Sequence, residues 1–197
     1  MPTNYRGGTG HIGRRAAENV LHAIRYAAEI GQPINTHVTI SFHELGVDDD
    51  CAGSMFRELQ AKMARAWRYE LSKGRVTGKL IGVHSHANPA GSRHVHWLTH
   101  LPPHMVTAFT ERAAKFLRKI TRVENLKDAL DVRGVEAPGS LAKYILRGID
   151  PAYGDYLHIK PVNEGFVSGR RTGASRMIGR SARKAAGWQR KKPRRAA

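Results

Sequence analysis

Closely spaced histidines mark one stretch of the chain as a candidate reaction centre. His94 and His96 flank Val95 within residues 93–101, a run that a Pro-Pro pair closes. Alternate side chains of a strand share a face, so a strand here would place the two imidazoles side by side. Because neutral imidazole is the commonest metal ligand in proteins, this spacing favours a divalent ion. The alternative is a pair of solvated histidines on an open sheet face.

A second pair of histidines precedes the first. Residues 77–84 are predicted to form a strand, and residues 87–92, with an Asn-Pro pair and a glycine, the turn that leads back. This hairpin is expected to bring His84 and His86 beside His94 and His96 on one face. Two histidines and one further ligand would leave open positions on an ion, as catalysis requires. Such an ion would act as a Lewis acid on a phosphoryl oxygen.

A tyrosine on a later predicted helix is the candidate nucleophile for that phosphate. Residues 141–147 carry Lys143, Tyr144 and Arg147, with Arg147 one turn beyond Tyr144. Nearby cations and a metal-polarised phosphate favour attack by a phenolate. Tyr153 and Tyr156 rank behind Tyr144 because the proline and glycine around them indicate a turn or loop. The alternative is that Tyr144 only packs its ring and exposes its hydroxyl.

The hydrophobic pattern predicts an α+β fold for one domain. Helices are predicted at about residues 14–30, 48–71, 104–119 and 141–147, and strands at about 36–42, 77–84, 93–101 and 130–135. This order favours an antiparallel sheet of about four or five strands with helices packed on it. We expect a flexible N-terminus at residues 1–13, the domain at 14–160 and a basic tail at 161–197.

The charge indicates a polyanionic partner. The 33 Lys and Arg residues outnumber 16 Asp and Glu residues, which gives a formal net charge of +17. Residues 165–197 hold eleven Lys or Arg and no acidic residue, which predicts a nucleic-acid-binding tail; a tail that only aids solubility is the alternative. The candidate contacts in it are Arg170, Arg171, Arg176, Arg180, Arg183 and Lys184.

Other features narrow the class of protein. Residues 1–10 are polar and glycine-rich, and no apolar run approaches the length of a membrane span, so we expect no signal peptide and no membrane partner. A single cysteine, Cys51, excludes an internal disulfide framework and fits a cytoplasmic protein. The absence of a Gly-x-x-x-x-Gly-Lys-Ser/Thr loop excludes a helicase within this chain.

The order of these motifs resembles the HUH endonuclease superfamily. His94-Val95-His96 on a strand, followed by Tyr144-Ile145-Leu146-Arg147 on a helix, is similar to the single-tyrosine rolling-circle replication initiators. The likeness covers residues 36–150 and implies the RRM-like HUH/Rep fold. It also implies a metal-dependent DNA nicking enzyme in which Tyr144 forms a 5'-phosphotyrosine, His94 and His96 hold Mn or Mg, and Lys143 and Arg147 orient the DNA backbone. The implied partners are single-stranded DNA or an origin hairpin of a plasmid or phage, with a host helicase and polymerase.

The sequence departs from the family pattern at two positions. The family lysine of the tyrosine motif is Arg147, which keeps the charge but does not readily release a proton. The family glutamate on the preceding strand is absent, and only His84 and His86 lie there as metal ligands. We therefore expect His86, or otherwise His84, as the third ligand, which favours manganese or another transition ion over magnesium.

Three alternative functions stay open. A transposase or a mobilisation relaxase of the same superfamily would share both motifs. His37-Val38-Thr39 resembles half of the paired His-x-Thr/Ser signature of RNA-ligase-like phosphoesterases, but the second half is missing. A non-catalytic basic DNA- or RNA-binding protein would bind with salt sensitivity and form no covalent adduct. An aromatic content of 7% is low for a platform on which single-stranded bases stack.

Overall fold

A five-stranded antiparallel sheet forms the centre of the protein. The computed structural model describes residues 7–189. The strands of this sheet run in the order β5-β2-β4-β3-β7. Their bounds are β2 Thr36–Ser41, β3 Gly82–Ala87, β4 His94–Thr99, β5 Leu130–Gly134 and β7 Thr172–Ala174. Two shorter strands, β1 Gly8–Thr9 and β6 Val167–Ser168, pair with each other outside the main sheet.

Helices cover both faces of the sheet. Their bounds are α1 Arg14–Glu29, α2 Asp49–Ser72, α3 Val106–Thr121, α4 Pro138–Ile145, α5 Gly154–Leu157 and α6 Arg180–Ala185. Within the described residues the fold is thus an antiparallel sheet with six helices, and the predicted α+β class is confirmed.

The face of the sheet that α2 and α3 cover, called the α2 face, carries the larger core. The inward residues of β2 and β4 pack there against a stripe on α2 at helical spacing. The stripe is Phe56, Leu59, Met63 and Trp67. Because the strand alternates, the residues between the inward ones of β2 and β4 must point to the other face.

The opposite face, called the α1 face, is covered only in part. Val83 and Leu98 pack there against α1 and α4. Helix α1 lies over β3 and β7, while His37 and Thr39 of β2 and His94 of β4 remain partly exposed. The alternation of β2 and β4 therefore directs their polar residues to an open part of the α1 face.

The structure corrects three boundaries of the sequence-based prediction. The strand expected at residues 77–84 lies at Gly82–Ala87, so both His84 and His86 belong to it. Residues 161–189 are not a separate tail, because β7 is an edge strand of the sheet and α6 packs on α1. Residues 7–13 also join the domain: β1 pairs with β6, and Ile12 is 2% exposed. The rest of the predicted flexible N-terminus and of the tail lies outside the described residues.

None of the helices in residues 7–189 is both long and apolar enough to cross a bilayer.

Candidate active site

His94 and His96 lie side by side on the α1 face of β4. Their ring centroids are 4.8 Å apart. The Nδ1 of His94 lies 2.9 Å from the carbonyl oxygen of Ser92. A carbonyl only accepts, so Nδ1 carries the proton and Nε2 of His94 keeps its lone pair. The strand and its preceding turn therefore fix the tautomer that a metal ligand needs.

His37, on the neighbouring strand β2, contacts His96 directly. The register places His37 opposite Leu98, so its side chain shares the α1 face with His96. His37 Nε2 lies 3.0 Å from His96 Nδ1 and 3.2 Å from Thr39 Oγ1. When His96 Nδ1 donates to His37 Nε2, the Nε2 of His96 is left with a lone pair, as in His94. Sequence reasoning did not assign His37 to this site; only the pairing of β2 with β4 reveals it.

Burial lowers the pKa of both His37 and His96 and thereby favours their neutral forms. Desolvation, followed by the charges of His94, His37 and Arg147, lowers the pKa of His96 to about 3. Desolvation also lowers the pKa of His37, while Asp131 opposes this shift and Arg133 adds to it. A neutral imidazole is the form that binds a metal ion.

Tyr144 of α4 reaches the same group of histidines. Its ring lies edge-on to His96, with the centroids 5.6 Å apart. The guanidinium carbon of Arg147 lies 4.4 Å from the centre of the Tyr144 ring. The Tyr144 residue is 45% exposed, so a polymer in solvent has access to it. The sequence-based grouping of His94, His96, Tyr144 and Arg147 thus corresponds to one surface of the folded chain.

Arg147 is held by a buried carboxylate that sequence reasoning did not single out. Glu164, which is 3% exposed, forms an ion pair through Oε1 with Nε of Arg147. The backbone oxygen of Glu164 accepts in turn from Nη2 of Arg171 at 2.9 Å. Glu164 lies 17 residues beyond Arg147, so no helical spacing signals the contact. Arg147 therefore has a fixed position beside Tyr144.

The prediction for His84 and His86 is wrong. In the register of β3 with β4, His86 lies opposite Val95 and His84 opposite Trp97, so both histidines point to the α2 face. Their rings pack against Phe56, with centroid distances of 5.3 Å for His86 and 5.0 Å for His84. The sheet itself separates them from His94 and His96, and neither completes a metal site there. Ser85 is the β3 residue opposite His96.

The other candidate groups of the tyrosine helix lie elsewhere. Lys143 borders a depression between α1 and α4 together with Arg25 and Tyr156, because successive helical residues point about 100° apart. This placement corrects the predicted role of Lys143 beside Tyr144. Tyr153 and Tyr156 lie over Arg14, with its guanidinium carbon 5.9 and 5.5 Å from their ring centres. Of these three tyrosines, Tyr144 is thus the one that the fold brings to the histidines.

The six basic residues predicted to bind nucleic acid fall into two groups. Arg171 and Arg183 are 3% and 6% exposed and donate to groups of the protein, so the prediction of direct nucleic-acid contacts is wrong for both. The remaining four are exposed: Arg170, Arg176, Arg180 and Lys184.

The residues present fit two ligands of a divalent ion. Both His94 and His96 are placed to offer Nε2 on one face, and each Nδ1 has a partner that orients the ring. Across residues 7–189, no group of three or more His, Cys, Asp or Glu side chains has the arrangement of a metal site.

Comparisons of the chain with models of known families, with curated proteins and with solved structures give no match.

Proposed function

We propose that this protein nicks single-stranded DNA through a tyrosine transesterification and thereby initiates replication of a DNA element. The observation that carries the proposal is the contact of Tyr144 with His96 on the face that His94 and His96 share. A nucleophile beside two imidazoles and a fixed cation is the set of groups that phosphoryl transfer needs. The net charge of +17 supports a nucleic-acid substrate.

The reaction exchanges one phosphodiester for another. The phenolate oxygen of Tyr144 forms a bond to phosphorus, and the bond between phosphorus and the 3'-oxygen breaks. The phenol proton passes to solvent, which reaches the half-exposed side chain, and the leaving 3'-oxygen takes up a proton. The products are a 5'-phosphotyrosine and a strand with a free 3'-hydroxyl, which a polymerase extends.

Each residue of the site has a separate task. His94 and His96 would hold a divalent ion, which supplies Lewis-acid polarisation of the phosphate when bound. His37 orients the ring of His96 through its Nδ1. Arg147 stabilises the phenolate against which it stacks and the negative charge that develops on the phosphate. Glu164 keeps Arg147 in place.

A strand-transfer assay tests the proposal. A pool of single-stranded oligonucleotides, labelled at the 3' end or at the 5' end, is incubated with the protein in manganese, magnesium or EDTA. On a denaturing gel the 3' label is expected to migrate with the protein, because the 5'-phosphate joins Tyr144. The 5' label is expected in a shorter free fragment, and EDTA is expected to abolish both products.

Matched variants assign the groups. Tyr144→Phe and His96→Ala are expected to give no adduct, whereas Tyr153→Phe and Tyr156→Phe are expected to retain it. An adduct that persists in Tyr144→Phe contradicts the assigned nucleophile. If the protein binds DNA in a salt-sensitive way but forms no adduct with any oligonucleotide in any of the metals, the non-catalytic binding protein is favoured instead.

A further inference from the structure

A groove rich in arginine lies between the start of α1 and residues 169–181. It encloses about 880 Å³ and is called the basic groove. Its exposed cations are Arg15, Arg170, Arg176 and Arg180, and its lining includes no Asp or Glu. This surface is separate from the groups that Tyr144 contacts.

The four exposed arginines of the groove are available to bind a ligand. None of them forms a salt bridge or a side-chain hydrogen bond with another described residue. By contrast, their neighbour Arg14 pairs with Glu18. Four like charges in one groove repel each other, so the uncompensated cluster favours an anionic ligand.

Two buried arginines build the walls of the groove. Arg171 ties the edge strand to the segment before α1, with Nη1 2.6 Å from the Gly10 oxygen and 3.0 Å from the Gly165 oxygen. Arg183 ties α6 to α1 through a 2.8 Å hydrogen bond to Asn19 Oδ1. The groove is therefore a preformed part of the fold rather than a loose tail.

A short chain of contacts connects the groove to the nucleophile. Arg171 lines the groove and donates to the backbone of Glu164, whose carboxylate pairs with Arg147. Arg147 in turn stacks on the ring of Tyr144. The basic groove and Tyr144 are therefore joined by direct contacts between residues, so one DNA strand could contact both.

We propose that the basic groove binds the sugar–phosphate backbone of single-stranded DNA, independently of sequence, through Arg15, Arg170, Arg176 and Arg180. Guanidinium groups are well suited to phosphate, and a repeating phosphate chain matches four separate cations. A flexible single strand can follow a concave surface of this kind along its backbone. This assignment rests on the proposed function for the choice of DNA as the ligand.

The salt dependence of binding tests the groove apart from catalysis. Full-length Tyr144→Phe protein, which forms no adduct, is titrated into fluorescein-labelled oligo(dT) at several salt concentrations, and fluorescence anisotropy gives the affinity. Each phosphate neutralised on a single strand adds about 0.7 to the slope of log K against log salt. Replacement of all four arginines by Gln is therefore expected to reduce the slope by up to about 3.

A matched variant separates local contacts from net charge. Arg65, Arg68, Lys115 and Lys119 are exposed on α2 and α3, which cover the other face of the sheet. Their replacement by Gln removes the same charge and is expected to leave most of the slope intact. Ala16→Trp narrows the groove without a change in charge and is expected to weaken binding as well. Equal slopes in the groove variant and its control would overturn the proposal.

Further ligands identify the strand. If the groove variant loses as much affinity for duplex DNA as for oligo(dT), the single-strand assignment is overturned. If the protein binds oligo(U) at least tenfold more tightly than oligo(dT), the ligand is RNA and the DNA assignment is overturned. Nicking is then measured with Tyr144 restored. If the groove variant binds oligo(dT) more weakly but the protein with Tyr144 forms no adduct, only the proposed function is refuted. If the protein nicks DNA but the groove variant binds oligo(dT) like its control, only the assignment of the groove is refuted.

Discussion

His86→Gln tests the assignment of His86 to the core rather than to the proposed active site. His86 is 2% exposed, and burial holds the pKa of its imidazole well below the ordinary value of 6.5, with the charges of His84 and Arg93 adding to this shift. Below pH 6.5 the unfolded chain binds a proton at this residue and the folded chain does not. The free energy of unfolding must therefore fall as the pH falls below 6.5.

The expected size of this effect follows from linkage. One pKa unit corresponds to about 1.4 kcal/mol, so a histidine that stays neutral in the folded state contributes a loss of at most about 2 kcal/mol between pH 6.5 and pH 5. Gln does not titrate, so His86→Gln is expected to lose less stability than the unsubstituted protein over the same interval, by up to about 2 kcal/mol. His84, whose pKa burial lowers to about 4, adds a second loss of the same sign in both proteins.

Urea unfolding in EDTA, followed by the fluorescence of the buried Trp67 and Trp97, measures the free energy of unfolding at each pH. His43→Gln, at an exposed position, is the matched control and is expected to follow the unsubstituted protein. Equal acid losses in His86→Gln and in the unsubstituted protein would refute a buried neutral His86. Loss of metal-dependent nicking in a folded His86→Gln protein would refute its separation from the active site.

Three further outcomes are expected from substitutions. Glu164→Gln removes the ion pair that positions Arg147, so adduct formation is expected to slow by roughly tenfold to a hundredfold, as on loss of an orienting partner at a metal site. The affinity for oligo(dT) is expected to stay the same, and an unchanged rate of adduct formation would contradict this role of Glu164. Arg171→Gln is expected to cost about 3–5 kcal/mol of unfolding free energy, whereas Arg170→Gln is expected to stay within about 0.5 kcal/mol, both measured by urea unfolding. Phe56→Ala opens the core of the α2 face and is expected to cost about 3–5 kcal/mol in the same measurement; a smaller loss would indicate that the core collapses around the cavity.

Short-range patterns were enough to predict most elements. Alternation in residues 36–41 and helical spacing in residues 14–29 depend on neighbours in sequence, so β2 and α1 lie close to their predicted places. The edge strand β7 carries no such signal, because its Thr-Gly-Ala sequence is short and lies in a glycine-rich basic stretch. It becomes a strand only because β3 offers it an unpaired edge.

The sequence by itself determined the candidate chemistry: two histidines that alternate on one strand, a tyrosine with an arginine one turn later, and a large positive charge. Tertiary structure decided which groups meet. Strand register sent His86 to the α2 face and His37 to His96, since a one-residue difference in pairing changes the face of a side chain. Long-range packing paired Glu164 with Arg147 and buried Arg171 while it left Arg170 exposed. Such contacts join residues far apart in the chain, and no local spacing encodes them.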